Sequence, residues 1–342
     1  MIREAIKTLV ERGDLSINDM EAVVEEIMEG KVSDILIASF LTALKMKGET
    51  VEEITGAARA MRKKSEKINA PEGSIDTCGT GGDMSGTFNI STTSAIVVAA
   101  TGIPVAKHGN VSVSSRSGSA DLLRELGINI ELKPSDLQRC LEETGFGFLF
   151  APIFHPAMRY VSGVRKELGM RTIFNLLGPV TNPAFVKRQV VGVYAPHLTE
   201  VIGEVLKHLG VIHAFVVHSE EGLDEISICG RTKIIELKNG TMETYYITPE
   251  DIGLKRAHIR DIMGGDAKEN AKITLSILRG ERGPKRDAVL INAAAAIVVS
   301  GKAEEIAEGL KMAEESIDSG SALKKLQEIG EVTNRLAKHG SI

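Results

Sequence analysis

The chain has 342 residues, 41 of them Lys or Arg and 46 Asp or Glu, for a formal net charge of −5. That balance, with a pI of about 6.0, argues against a nucleic-acid binder, whose domain is usually basic. Trp is absent and aromatics make up 4%, too little for a base-stacking platform. A hydrophobic share of 43% is enough for a large core, and the length sets a prior of about two domains. Cys78, Cys140 and Cys229 are scattered, with no metal or redox spacing, and an odd number cannot pair fully. They imply a reducing compartment. The start Met1-Ile2-Arg3-Glu4 lacks the apolar run of a secretory signal. The stretch Ala288–Val299 contains an Asn and falls short of the roughly 20 residues that span a bilayer. A cytoplasmic protein with no membrane association is therefore expected.

Residues 1–68 read as helices only. Ile2, Ile6, Leu9 and Val10 share a face, and Gly13 ends that helix. Ser16 with Asp19 resembles a capping box before Met20, Val23, Val24, Ile27 and Met28, and Gly30 follows. A third helix runs from Ser33 to Met46, stopped by Gly48; Thr50 with Glu53 opens a fourth that ends in Arg62-Lys63-Lys64. Four short capped helices predict a small helical domain. The pattern changes at Ala70-Pro71-Glu72-Gly73. Strands are expected at Ser74–Cys78, Ile103–Lys107, Phe146–Phe150, Gln189–Tyr194 and Ala214–His218, and helices at 90–101 and 117–126. Lys233–Lys238 and Thr241–Ile247 flank Asn239-Gly240, a hairpin signal, and helices dominate from Ala267 to about Leu336. This alternation predicts an α/β domain with a central, mostly parallel sheet. Segment 155–187 reads as helix again and is free to join the first four helices. The expected division is a helical unit of 1–70 plus about 165–187, and an α/β unit of 71–164 plus 188–342.

Four segments carry chemistry. Asp76-Thr77-Cys78-Gly79-Thr80-Gly81-Gly82-Asp83, continuing through Thr87 to Asn89-Ile90-Ser91-Thr92, is a Gly-rich turn between a strand and a helix. It reads either as a phosphate cradle at a helix N-terminus or as a tight βα turn. It lacks the Gly-Lys-Ser/Thr of a Walker loop and the third Gly of the dinucleotide fingerprint. Lys107-His108-Gly109-Asn110-Val111-Ser112-Val113-Ser114-Ser115, running on to Ser119, lies at the same sheet edge. It has two cations and no carboxylate up to that point, which suits an anion as well as it suits a solvated loop. Asp224-Glu225 is either a Mg²⁺-type oxygen pair or solvated surface. Arg165, Lys166 and Arg171 crowd the fourth segment, as a fork for a carboxylate or as helix-surface charge. There is no His-Glu-x-x-His, no Gly-x-Ser-x-Gly and no kinase signature set, so nothing points to covalent catalysis.

In this order the motifs resemble the anthranilate phosphoribosyltransferases: Asp-x-x-Gly-Thr-Gly-Gly-Asp from Asp76, Asn-Ile-Ser-Thr from Asn89, Lys-His-Gly-Asn from Lys107, and Gly-x-Arg-x-x-Leu-Gly-x-Arg-Thr-x-Phe-Asn from Gly163, followed by Leu177-Gly178-Pro179 and Asn182-Pro183. The resemblance covers nearly the whole chain. It implies a small helical domain hinged to a larger α/β domain and a homodimer formed through the helices. The implied reaction joins anthranilate and phosphoribosyl pyrophosphate to give phosphoribosyl anthranilate and pyrophosphate, in tryptophan biosynthesis.

Carried over residue by residue, the resemblance implies a phosphoribosyl pyrophosphate site of Gly79, Gly82, Asp83, Thr87, Asn89, Ile90, Ser91 and Thr92. Lys107, His108, Gly109, Asn110, Val111, Ser112, Val113, Ser114, Ser115 and Ser119 extend it. It implies anthranilate at Gly79, Asn110 and Arg165, and Mg²⁺ at Ser91, Asp224 and Glu225. Many members have Arg where this chain has Val111, which removes a cation beside the pyrophosphate. Two other readings are weighed with it. A pyrimidine nucleoside phosphorylase of the same fold has a different glycine loop, and a nucleic-acid-binding homologue would be basic and lack Arg165.

Overall fold

The computed structural model describes residues 1–83, 85–112 and 116–339. The chain opens with α1 (Ile2–Val10), α2 (Ile17–Met28), α3 (Asp34–Lys47) and α4 (Val51–Lys64). Ser16 accepts the Asp19 N–H at 3.2 Å, but its own hydroxyl donates to the Asp19 carboxylate at 2.6 Å, so this cap is one-sided. Thr50 and Glu53 form the reciprocal box: Glu53 N–H donates to Thr50 Oγ1 at 3.2 Å, and Thr50 N–H to Glu53 Oε2 at 2.9 Å. Glu53 is fully buried, and Lys47 at 2.9 Å with the Leu15 N–H at 3.0 Å satisfies its charge.

The α/β part follows as β1 (Ile75–Gly79), α5 (Ile90–Ala100), β2 (Val105–Gly109), α6 (Ser119–Glu125), α7 (Pro134–Thr144) and β3 (Phe146–Phe150). Three further helices, α8 (Ala151–Phe154), α9 (Arg159–Leu168) and α10 (Phe174–Leu177), lead to β4 (Arg188–Gly192) and α11 (Leu198–His208). Then come β5 (His213–Ser219), β6 (Thr232–Lys238) and β7 (Thr241–Ile247). The chain closes with α12 (Ala267–Leu278), α13 (Pro284–Ser300), α14 (Ile306–Asp318) and α15 (Ser321–His339). The sheet order is β3-β2-β1-β4-β5-β6-β7. β1 to β5 pair in parallel, and β6 and β7 add an antiparallel edge. Asn239 (φ 51°) and Gly240 (φ 83°) make the tight β6–β7 turn that the sequence signals.

Side chains alternate across the sheet. Val190, Phe215, Val217 and Ile234 face one core, with α5 and α13. Val191, Ala214, Val216 and Ile235 face a second core, which is continuous with α1 to α4 and α11. Val161 and Val164 of α9 and Phe174, Leu176 and Leu177 of α10 lie in that second core. The segment between β3 and β4 therefore packs with the first four helices, although 90 residues or more separate them in sequence.

β1 pairs with β4 along five residues but with β2 only at Ile75↔Val105. Beyond that point side chains replace the ladder. Asp76 accepts the His108 N–H at 3.2 Å, Lys107 Nζ donates to Thr77 O, and Asn182 Nδ2 donates to Asp76 Oδ2 and to Ala106 O, each at 2.8 Å.

Candidate active site

The chain leaves β1 toward β2 on one side, while β4 lies on the other. The carboxyl ends of β1 and β4 therefore flank a topological switch point, where open α/β sheets bind ligands. Both strands end in glycine, and both glycines are needed. A Cβ on Gly79 would stand 2.4 Å from Asp224 Oδ2, and one on Gly192 only 1.5 Å from the Asp224 carbonyl oxygen. The loop after β5 thus lays Asp224-Glu225 directly over the strand ends. Asp224 Oδ2 accepts the Gly81 N–H at 2.8 Å, and Glu225 Oε1 accepts the Ser91 N–H at 3.2 Å. Glu225 thereby sits on the positive end of α5. Burial pushes the Asp224 carboxyl up, and the nearby Asp83 pushes it further. Burial and then the Asp224 charge push Glu225 up, against the pull of Lys107. The crevice is crowded with negative charge.

The Gly-rich turn is pinned from outside. Thr80 N–H donates to Gly192 O at 2.9 Å, and the Tyr194 N–H donates to Thr80 Oγ1 at 3.1 Å. Asp83 Oδ1 accepts the Ser85 N–H at 3.2 Å, and Thr87 bridges to Met263. Asn89 precedes α5 without capping it through its side chain. Its amide instead donates to Ser117 O at 3.1 Å and accepts from Asn270 Nδ2 at 2.9 Å, which ties the loop before α5 to the loop before α6. Ile90 and Thr92 are buried in the core, so Ile90 has only its backbone to offer a ligand.

β2 runs to Gly109, two residues past the expected Ile103–Lys107, because Pro104 and Ile103 stand before the strand. His108 and Gly109, read from sequence as loop, therefore lie within β2. Lys107 is 2% exposed and sits beneath the acid pair rather than in the open loop. Asn110 is exposed, and its carbonyl accepts from Ser119 Oγ at 3.2 Å. Asp121 Oδ2 gathers the Ser112 N–H at 3.1 Å and the Gly118 N–H at 2.9 Å, closing the loop around Val111. Val113, Ser114 and Ser115 lie outside the described residues, as does Met84 of the first motif.

Two arginines approach from the helical side, and the structure separates them. Arg165, in the last turn of α9, is half-buried and lies 5.7 Å from the Phe174 ring centroid. Among the described residues no hydrogen-bond acceptor or carboxylate meets its guanidinium, and burial lowers its pKa. Arg171 is engaged: it donates to Gly82 O and lies 4.0 Å over the Tyr194 ring.

Comparison with known proteins agrees with this arrangement. The glycosyl transferase family a/b domain matches residues 72–323, and the helical bundle domain of the same family matches residues 3–65. The anthranilate phosphoribosyltransferase of Petrotoga mobilis is 52% identical over 338 residues, covering 98% of both chains. That of Alkaliphilus metalliredigens is 53% identical, over 98% of this chain and 99% of the relative. The chain belongs to the anthranilate phosphoribosyltransferase family. A crystal structure of the Thermus thermophilus enzyme superposes with a TM-score of 0.92 at 42% identity, over 96% of this chain and 99% of the other. The Saccharomyces cerevisiae enzyme in complex with PRPP and Mg gives 0.90 at 30% identity, over 98% of each chain.

Within this anthranilate phosphoribosyltransferase fold, the structural partners of several residues that frame the site escape a sequence reading. Asp76 and Asn182 join β1 and β2 across the sheet, and Gly192 makes room for Asp224. The turn 178–182 is held carbonyl by carbonyl. His108 Nδ1 meets Gly178 O at 3.0 Å, Gln189 Nε2 donates to Pro179 O at 2.9 Å, Arg62 Nε to Val180 O at 2.8 Å, and His155 Nε2 meets Thr181 O at 3.1 Å. A carbonyl only accepts, so each of those ring nitrogens carries the proton. Burial holds both imidazoles neutral, with His155 pushed down to about 3 and His108 below its ordinary value. Asp76, His108 and Asn182 stand in the motifs, but nothing local shows which groups they meet; Arg62, His155 and Gln189 carry no advance signal beyond polar type.

Among the described residues no group of three or more His, Cys, Asp or Glu is placed to hold a metal by itself. No helix of the described residues is long and apolar enough to cross a membrane.

Proposed function

We propose that the chain carries out its family's reaction, transfer of the phosphoribosyl group from phosphoribosyl pyrophosphate to the amine of anthranilate, in the crevice between β1 and β4. One observation carries the placement. The Gly-rich turn, the N-terminus of α5 and the carboxylates of Asp224 and Glu225 converge there, and Arg171, from the segment after α9, reaches the same turn at Gly82. The donor is assigned to Gly79, Gly82, Asp83, Thr87, Asn89, Ile90, Ser91 and Thr92 on one side. Lys107, His108, Gly109, Asn110, Val111, Ser112 and Ser119 face it from the other, with Val113 to Ser115 completing that loop. Lys107 and His108 contribute from beneath, by charge and packing, since both are buried. Anthranilate is assigned to Gly79, Asn110 and Arg165.

Mg²⁺ fits at Ser91, Asp224 and Glu225. The donors are all oxygen, and the two carboxyls are raised by burial and by neighbouring like charge, which a divalent cation relieves. With only two acids in place, such an ion completes its shell from pyrophosphate and water. Bound there, it neutralises charge that develops on the leaving pyrophosphate.

The ribose C1–oxygen bond to pyrophosphate breaks as the amine nitrogen bonds to C1, and the amine loses its proton. The chain's residues hold the leaving group, place the amine opposite it and exclude competing water. An aromatic amine is already neutral near pH 7, so no strong base is required. The yeast relative solved in complex with 4-fluoroanthranilate supports the acceptor class.

A homodimer through the helices fits the exposure of Val10 on α1 and of Ile35 and Met46 on α3, at 68%, 79% and 75%. The three unpaired cysteines support a cytoplasmic location. The direct test is loss of anthranilate fluorescence, expected only when phosphoribosyl pyrophosphate and Mg²⁺ are both present. Folded protein that leaves the fluorescence unchanged in the full mixture refutes the reading. Turnover with inorganic phosphate and a nucleoside in its place would point to the phosphorylase alternative.

A further inference from the structure

We infer that Arg171 is a positioning residue for the donor's Gly-rich turn. The inference rests on the donor and acceptor assignments above. Arg171 reaches from the helical side and donates to Gly82 O, while its guanidinium carbon lies over the Tyr194 ring, 4.0 Å from the centroid. Tyr194 is not a passive platform, because its own N–H donates to Thr80 Oγ1 at 3.1 Å. Arg171 therefore grips the turn twice, directly at Gly82 and through Tyr194 at Thr80. Gly82 adopts φ +76°, where a side chain is strained, and a Cβ there would stand 3.3 Å from Arg171 Nη2. The backbone and the guanidinium are fitted to each other. A carbonyl oxygen near a pyrophosphate site repels the ligand; here that oxygen already has a cationic partner.

The link from Arg171 back to α9 is short. Arg165 and Arg171 are joined through Gly169, which caps α9 in a left-handed conformation and donates its N–H to Arg165 O at 3.3 Å. Beyond Arg171 the Thr172 N–H is fixed by Asn175 Oδ1 at 3.0 Å. The segment is held at both ends, so Arg171 is presented to Gly82 from a fixed backbone. The two arginines are not interchangeable, despite lying in one motif: one is free for a ligand, and the other is spent on the protein.

Calorimetric titration with phosphoribosyl pyrophosphate and Mg²⁺ reads the donor turn without turnover. Arg171→Ala is expected to weaken donor binding about tenfold, the loss of one charge-assisted hydrogen bond, and to leave the anthranilate KM within about twofold. Tyr194→Leu should give a smaller loss of the same kind, Tyr194→Phe should restore wild-type donor binding, and the double variant Arg171→Ala/Tyr194→Leu should lose less than the product of the singles. A donor Kd unchanged by Arg171→Ala, or an effect confined to the anthranilate KM, overturns the inference. Since the titration needs no acceptor, a wild-type protein that binds the donor but leaves anthranilate untouched counts against the reaction and not against Arg171. Circular dichroism and unfolding midpoints matching the wild type exclude simple misfolding as the cause.

Discussion

The two walls of the crevice are built on opposite electrostatic plans. On the proposed donor wall burial raises the proton affinity of Asp224 and Glu225, and like charge raises it further, from Asp83 on Asp224 and from Asp224 on Glu225. The turn 178–182 is instead a frame held by hydrogen bonds, with its first four carbonyls each met by a buried side-chain donor, the Arg62 guanidinium among them. Among the described residues no carboxylate meets the Arg165 guanidinium, which lies in the segment leading to that frame. One wall is short of a cation and the other of an anion. Each deficit is a binding capacity, because a partly buried charge without a partner has already given up much of its water. The frame, by contrast, spends its carbonyls on the protein itself.

Breaking the donor wall should have the largest effect. Asp224→Asn with Glu225→Gln keeps the shapes and removes both charges. Turnover is expected to fall by about 10²–10³-fold, the loss that follows removal of one preorganised electrostatic contact, and the Mg²⁺ titration should lose its saturation in the wild-type range. The same variant should be no less stable than the wild type without metal, since like-charge crowding is relieved. An unchanged Mg²⁺ dependence would make the pair ordinary surface.

Arg165→Ala tests the opposite wall. A guanidinium fork matches the anthranilate carboxylate oxygen for oxygen. Its loss should cost roughly 1.5–3 kcal/mol, a ten- to hundredfold rise in anthranilate KM, with donor binding preserved. Lys in its place should recover only part of the loss. Equal effects on both substrates would mean that Arg165 supports the fold and not the acceptor.

The frame makes a prediction in pH. The unfolded imidazole of His155 takes its proton near pH 6.5, whereas the folded one takes it only at about 3. Its contribution to stability is therefore fully present above about pH 6.5 and is lost as the pH falls toward 3. By pH 5 this amounts to about 2 kcal/mol. His155→Gln keeps an N–H for Thr181 O and removes the titration, so urea unfolding should show a wild-type stability loss between pH 8 and pH 5 that exceeds the variant's by about that amount. Parallel losses in the two proteins would remove His155 from the account of acid sensitivity.

The contrast between walls also explains what the sequence reveals. Thr50 with Glu53, the stop at Gly48 and the Asn239-Gly240 turn are legible because each is written within four residues, and all three form. The phosphate-type turn from Gly79 to Thr92 is legible for the same reason. α7 carries local marks, Pro134 in its first turn and the left-handed Gly145 after it, yet its apolar face rests on Leu137, Cys140 and Leu141, and our reading assigns it no element. The frame is written over long range. Asp76 meets Asn182 across 106 positions and Arg62 meets Val180 across 118, so no window of sequence contains either pair. Lys107 misleads in a different way. A cation at the end of an apolar strand looks exposed, but the splayed β1–β2 pair leaves a buried polar slot that takes it. The separate roles of Arg165 and Arg171 become visible only once Tyr194 and Gly82 are placed beside the second.

The smallest expected effect lies at Val111, where the family resemblance leads one to expect Arg. Val111 is 36% exposed, in a loop whose neighbours Ser112 and Gly118 are fixed by Asp121. Val111→Arg therefore adds a cation at the mouth of the donor wall without disturbing buried packing. A charge exposed to that degree is screened by water and salt, and pairs of this kind are worth about 0.2–1 kcal/mol. The KM for phosphoribosyl pyrophosphate should fall by no more than about fivefold, and the gain should shrink as ionic strength rises. The anthranilate KM should not move, since the acceptor wall is left as it was. A gain of a hundredfold would mean that the loop closes over the donor far more completely than its exposure indicates, burying the new charge against pyrophosphate. A loss would mean that the donor wall is already complete on this side, with Lys107 beneath it supplying all the positive charge the leaving group requires.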